Sequence, residues 1–307
     1  RPMIWSDMFF RLGSKTGDYY DLNAAIPEEA IKRVPKELQL VYWDYYHHDK
    51  DTYLRLIRDH KAFGSVPVFA GGVWTWNGLC TNYKLTFANT NPALEACKEE
   101  GVKEVLATLW GDNGNETNVF TSLLGLQLFA EHGYADTVDE KTLGRRFEFC
   151  TGGKYDAFVG ITDCDGLRKR NAGNDAPEER YANPSKYLLY QDVLLGLFDK
   201  DVEGCDVYGY YSGMEKRMAR YSSPSDRWGF LFLQYQKLCG VLKLKGDIGV
   251  RIKRYYDRHD MEELSEITLK ELPELYRRVD ELRAVHRDEW MKVYKPFGWE
   301  VLDKIGR

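Results

Sequence analysis

The chain has 307 residues, a formal net charge of -5 and 43% hydrophobic residues, enough to bury a sizeable core in two ordinary domains. Acidic and basic residues are interspersed, and no basic stripe exists to follow a phosphate backbone, so nucleic acid is not an expected partner. No apolar run approaches the roughly eighteen residues that a membrane-spanning helix needs, so no membrane partner is expected either.

Residues 1 to about 133 alternate short apolar runs with helical patterns. The chain starts at Arg1 without a methionine and enters the apolar Pro2-Met3-Ile4-Trp5 at once, which reads as a strand under way. The true N-terminus and any signal peptide are therefore expected upstream. The first strand, Met3 to Trp5, leads through a polar loop to a helix near Pro27 to Val34. The second, Leu38 to Asp44, leads to a helix from about Lys50 to Phe63. The third, Val66 to Ala70, leads through a Gly-rich aromatic segment to a helix that Asn91 caps with Pro92 at its first position. The fourth, Glu104 to Leu109, precedes a helix from about Asn115 to His132. Four successive strand–helix units predict parallel strands joined by right-handed crossovers.

From about Thr137 helical patterns dominate: Asp139–Cys150, Ser185–Phe198, Pro224–Leu242 with Ser223 as cap, Gly246–Arg258, and a long charged helix from about Thr268 to Val293. The last has an apolar stripe of Leu269, Leu272, Leu275 and Leu282, and Pro273 marks an alternative start. Residues 152–184 read as a long loop. The six cysteines are scattered, with no zinc-ligand spacing, a pattern that suits a reducing, cytoplasmic setting.

No Gly-x-Gly-x-x-Gly or Walker-type loop follows any strand, so a nucleotide site has no support. What recurs where strands end is tryptophan or aspartate: Trp5-Ser6-Asp7, Trp43-Asp44, Trp74-Thr75-Trp76 and Trp110-Gly111-Asp112. A single tryptophan is ordinarily packing. A barrel core has no reason to repeat it at the rim, where a (β/α)8 barrel builds its active site. Indole faces stack on the C–H face of a pyranose and carboxylates pair with its hydroxyls, so this rim suits a sugar. The predicted fold is α/β: the second half of a (β/α)8 TIM barrel (residues 1–135), then a mostly α-helical C-terminal domain (residues 136–307). A half-barrel exposes the inward faces of its strands, so a partner half is expected.

The runs Pro-Met-Ile-Trp-Ser-Asp, Val-Tyr-Trp-Asp-Tyr-Tyr, Gly-Gly-Val-Trp-Thr-Trp and Thr-Leu-Trp-Gly-Asp-Asn-Gly resemble strands five to eight of family-20 glycoside hydrolases, most of all the bacterial N-acetylglucosaminidase branch with a helical C-terminal domain. The resemblance implies an exo-β-N-acetylhexosaminidase acting on a terminal N-acetylhexosamine through a substrate-assisted retaining mechanism. It implies that Trp5, Trp43 and Trp74 or Trp76 box the acetamide. Trp110 would stack beneath the ring, and Asp112 would bond the C4 and C6 hydroxyls. Asp44 and Tyr42, on one face of their strand, would bond the sugar or the acetamide carbonyl. Neither a metal nor an organic cofactor is implied, because the substrate supplies the nucleophile.

Two departures stand out. The family's Tyr-x-Asp belongs to the seventh strand, whereas Tyr42-Trp43-Asp44 falls on the sixth. The family's catalytic Asp-Glu pair closes the fourth strand, which would lie upstream of Arg1, so no catalytic acid is assigned within the chain. Asp139-Glu140 is better explained as a helix cap, and Glu116 by the preference for acids at a helix start. His47 and His48 are read as incidental, Trp228, Trp290 and Trp299 as core or interface anchors, and Asp7 as equally a loop-satisfied carboxylate or a sugar contact. Two other readings remain: a carbohydrate-binding or structural protein without turnover, and a barrel glycosidase with Asp44 and Asp112 as its acid pair. The helical domain also offers a surface for a homodimer.

Overall fold

The computed structural model describes residues 2–24, 26–167 and 183–305. The chain divides into two compact units, each assembled from several segments. The first comprises Arg1–Trp74, Tyr83–Trp110 and Gly125–Leu143; the second comprises Thr75–Asn82, Gly111–Leu124 and Gly144–Arg307.

The first unit is an α/β structure with a four-stranded parallel sheet in the order β1 (Met3–Trp5), β2 (Gln39–Trp43), β3 (Val68–Gly72), β4 (Val105–Thr108). Trp5 pairs with Val41, Val41 with Val68, Trp43 with Ala70 and Ala70 with Leu106. Its helices include α1 (Asp7–Gly13), α2 (Glu28–Arg33), α3 (Lys50–Lys61), α4 (Tyr83–Glu99) and most of α5 (Leu123–Tyr134). The Asp49 side chain starts α3 by accepting from the Thr52 amide at 2.8 Å, which satisfies one of the free donors of the first turn.

Side chains alternate between the faces of a strand, so this register sorts the sheet. Tyr42 and Phe69 point to one face and pack with Tyr53, Leu54 and Ile57 of α3 and Leu94 and Cys97 of α4. On that face Gly71 leaves room for Phe129 of α5, whose ring lies 2.9 Å from where a Cβ would stand. The opposite face carries Val41, Val68 and Ala70 with Trp43 against them. Met3, Trp5 and Leu106 share that face by register, and they are 58%, 41% and 39% exposed. Parallel sheets are normally covered on both faces; on this face the central Val41, Val68 and Ala70 are buried, while apolar side chains on both edge strands are exposed.

Pro92 does not start α4. The helix begins at Tyr83 and runs through Pro92, because Tyr83, Leu85, Thr86, Asn89, Ala93, Leu94 and Cys97 form a buried stripe at helical spacing that outweighs one missing N–H. Asn91 accepts from the His132 ring at 2.9 Å instead of capping. The Asp139 side chain does cap, accepting from the Thr142 amide at 2.9 Å at the start of α6 (Glu140–Thr151).

The second unit is helical: α7 (Tyr155–Ile161), α8 (Pro184–Tyr190), α9 (Asp199–Val202), α10 (Val207–Ala219), α11 (Gly229–Lys245), α12 (Ile248–Asp257), α13 (Met261–Glu266), α14 (Leu272–Val293) and α15 (Trp299–Ile305). Its centre is α11, where Leu231, Phe232, Tyr235, Leu238, Cys239 and Leu242 are buried against α10 and α14. Residues 224–228 form turns, so α11 starts at Gly229 and Ser223 does not cap it. The region expected as one helix from Ser185 to Phe198 stops at Tyr190, and the helix expected from Thr268 starts at Leu272 after a π-turn over Ile267–Glu271. Part of the predicted long loop is α7, and residues 168–182 lie outside the described residues. Trp290 and Trp299 are buried and Trp228 is half-buried.

Candidate functional site

The ends of β1, β2 and β4 carry the aromatic residues of the first unit. Trp43 closes β2, and its indole N–H donates to Asp7 Oδ1 at 2.9 Å. Its ring stacks on Tyr45 with centroids 5.3 Å apart and planes at 30°. The Trp110 N–H donates to the Tyr45 hydroxyl at 3.0 Å, and the Trp110 ring lies 6.1 Å from that of Trp5. β1 and β4 are the two edges of the sheet, about 14 Å apart if it were flat. Their indoles therefore lean toward one another across the sheet. Trp5 and Trp110 are 41% and 38% exposed, and Tyr46 beside Trp43 is half exposed. The result is an aromatic floor in which the Trp43 and Trp110 indole nitrogens are anchored from within and the rings of Trp5 and Trp110 are partly exposed, a form suited to stacking against a sugar.

Asp7 begins α1, and its position is fixed from behind. His60, fully buried on α3, has one ring nitrogen 2.6 Å from the Leu56 carbonyl and the other 2.7 Å from the Ser6 hydroxyl. Burial pushes the His60 pKa down to about 4, so the ring is neutral. The Asp7 carboxylate is thus committed to a neighbouring indole rather than to loop backbone. Replacing Trp43 by Phe keeps the stacking and removes the N–H, and should cost about 1–2 kcal/mol by urea denaturation, because Asp7 loses that donor in a buried position.

Asp44, 2% exposed, is the most heavily bonded carboxylate of the unit. Its Oδ2 accepts from the Tyr42 hydroxyl at 2.7 Å and lies 2.6 Å from His47 Nδ1; its Oδ1 accepts from the amides of Tyr46 at 3.0 Å and His47 at 3.3 Å. The hydrogen bond to Asp44 raises the His47 pKa, partly offset by burial. Tyr42 has no exposed surface and spends its hydroxyl on Asp44. Together these residues brace the turn that presents Tyr45 and Tyr46. Buried and with both oxygens already engaged, Asp44 has no free face to offer a substrate, which argues against it as one of a catalytic pair.

Trp74 is 2% exposed and donates its indole N–H to Asn89 of α4 at 3.1 Å, so it is a packed residue of the first unit. Trp76, half-buried, and Asp112, exposed, belong to the second unit. Of the eight residues expected at the sugar site, Trp5, Trp43 and Trp110 form the floor, Tyr42, Asp44 and Trp74 support it, and Trp76 and Asp112 sit on segments of the other unit. His47, read from the sequence as incidental, braces Asp44, and Tyr45, not among the expected site residues, holds the Trp110 indole. The signal was present for Tyr45, which follows Trp43 at the strand spacing of two. Among the described residues no cluster of His, Cys, Asp or Glu is placed to hold a metal ion.

Residues 156–306 match the family model of the Glycoside Hydrolase 20C C-terminal domain. This match supports a relationship to glycoside hydrolase family 20. No curated protein matches the chain. The matched region lies in the helical second unit, and a parallel sheet with substantial helical content is compatible with a family-20 protein.

Proposed function

We propose that the chain is the sugar-recognising part of a family-20 exo-β-N-acetylhexosaminidase that removes terminal β-linked N-acetylglucosamine or N-acetylgalactosamine. The aromatic floor of Trp5, Trp43 and Trp110 carries this reading: three indoles from three strand ends, two of them anchored through N–H bonds, with the rings of Trp5 and Trp110 exposed. The family resemblance gives Trp110 the stacking role beneath the ring and gives Asp112 the contact to the sugar hydroxyls. The acetamide oxygen of the substrate attacks the anomeric carbon to give an oxazolinium intermediate while a glutamic acid protonates the leaving oxygen. Holding the nucleophile beneath the anomeric carbon makes the step intramolecular, worth several kcal/mol. Water then opens the oxazolinium, which restores the acetamide and retains the β configuration.

The acid is assigned to a second half-barrel. The exposed edges of the sheet support that partner: Met3, Trp5 and Leu106 are apolar, share one face and are exposed on both edge strands, as the edges of an unclosed barrel would be. Asp44 and Glu116, buried and bonded within their own units, support the same division of labour.

The test pairs binding with turnover. N-acetylglucosamine should quench tryptophan fluorescence, and Trp110→Ala should weaken binding about tenfold or more. A chromogenic N-acetyl-β-glucosaminide should be hydrolysed when the chain is combined with a half-barrel that carries the catalytic acid. Binding without hydrolysis in that combination would instead establish the non-catalytic carbohydrate-binding reading.

A further inference from the structure

The second unit contains two segments that follow strands in the chain, Thr75–Asn82 and Gly111–Leu124. Trp76 and Asp112 lie near the start of each. The segments are tied together: the Asn113 side-chain amide donates to the Asn77 carbonyl at 3.0 Å, and the Thr117 hydroxyl donates to the Gly78 carbonyl at 2.8 Å. Both are also tied to α8. Asn183, just before that helix, donates from Nδ2 to the same Asn77 carbonyl at 2.5 Å. Lys186 donates its ammonium to the Asn113 carbonyl and to the Glu116 carboxylate, and Tyr190, one turn on, donates its hydroxyl to Glu116. The Glu116 side chain is 1% exposed and that of Lys186 18%.

Between those two anchors the backbone takes an expensive form. Asn113, Gly114 and Asn115 are all left-handed, with φ of 58°, 98° and 55°. Consecutive left-handed residues persist only where the surroundings over-determine them. Beside the Asn113 and Thr117 side-chain bonds, one ammonium helps to supply that here, gripping the carbonyl at the start of the turn and the carboxylate at its end. A carboxylate buried as deeply as Glu116 in turn needs that charge.

We infer that Lys186 is a positioning residue for terminal-sugar recognition: by holding the left-handed turn through Asn113 and Glu116, it fixes the segment that carries Asp112. The inference rests on the proposed role of Asp112 as the contact to the sugar hydroxyls. It gives the helical domain, in which Lys186 lies, a direct part in substrate selection.

The test is a double-mutant cycle in the intact protein, titrated with N-acetylglucosamine and its 4-deoxy analogue. Lys186→Met should weaken N-acetylglucosamine about tenfold and leave the analogue unchanged, and Lys186→Arg should restore binding. Combined with Asp112→Asn, it should add no further loss. Amide hydrogen exchange over residues 111–117 should quicken in Lys186→Met. If Lys186→Met leaves the buried Glu116 carboxylate without its counter-charge and the protein does not fold, Lys186→Met with Glu116→Gln removes both charges and serves in its place. Equal weakening of both ligands, additive losses, or unchanged affinity and exchange would overturn the inference. If wild type and Asp112→Asn bind both ligands alike, the sugar reading of Asp112 fails, and the inference with it.

Discussion

Asp44→Ala should destabilise the first unit by about 3–5 kcal/mol, measured by urea unfolding, the cost of removing one member of a buried, multiply bonded charge site. Truncation leaves the Tyr42 hydroxyl unsatisfied in a core position and frees the amides of Tyr46 and His47, so the turn that presents Tyr45 loses its brace. Since Tyr45 holds the Trp110 indole, quenching by N-acetylglucosamine should weaken in parallel. Asp44→Asn keeps an acceptor for the two amides and loses the charge, so it should cost less, about 1–2 kcal/mol. The effect of pH has a definite sign. His47 has a folded pKa above its ordinary 6.5, chiefly through the bond to Asp44. Its contribution to stability is therefore complete below about pH 6.5 and is lost as pH rises through the folded value. The gap between wild type and Asp44→Ala should be wider at pH 6 than at pH 8.5. A gap independent of pH would mean that His47 gains nothing from Asp44.

The strands were legible because each is a short apolar run bounded by polar or turn residues, and a parallel arrangement follows from the helical patterns between them. Their edges moved by one or two residues where burial, rather than composition, decides: Val66 belongs by type in β3 but is 42% exposed and precedes it. The aromatic floor was partly legible for the same reason that it exists, since tryptophan at successive strand ends is a pattern. What the pattern conceals is direction. Tyr42 and Asp44 do share a face of β2, but it is the face that α3 and α4 cover, so the pair supports the rim from behind. Trp74 resembles Trp110 in sequence, yet Asn89 of α4 takes its indole N–H and closes it into the core. Contacts across long separations are invisible at this level. Glu116 reads as a residue favoured by a helix start, and it pairs instead with Lys186 and Tyr190, seventy or more positions away. The α4 start fails in the instructive direction, because Asn-Pro is a sound local signal and a buried stripe beginning at Tyr83 overrides it.

Glu289→Gln should stabilise the second unit by about 1–3 kcal/mol at pH 8 and change little at pH 4.5. Glu289 lies on α14 at 4% exposure, where the Asn118 side chain hydrogen-bonds to it and, among the described residues, its Oε2 has no hydrogen-bond partner. Desolvation pushes its pKa well above the usual carboxylate value, with Asn118 and the more distant Lys292 only partly opposing. A carboxyl whose folded pKa is raised binds its proton more tightly when folded. Its favourable contribution is therefore present in full below about pH 4.5 and is lost as pH rises toward the folded value. Glutamine keeps the shape and a donor for the buried oxygen's surroundings and has no proton to lose, so thermal unfolding should show the variant and wild type converging in acid and separating in mild base. If the two curves stay parallel across the range, Glu289 is ionised in the folded protein. The stability of this unit would then depend on a buried charge held by Asn118. Asn118 belongs to the same Gly111–Leu124 segment that Lys186 grips, so Glu289→Gln should also leave hydrogen exchange over residues 111–117 unchanged, separating a stability effect at the end of that segment from the positioning of Asp112 at its start.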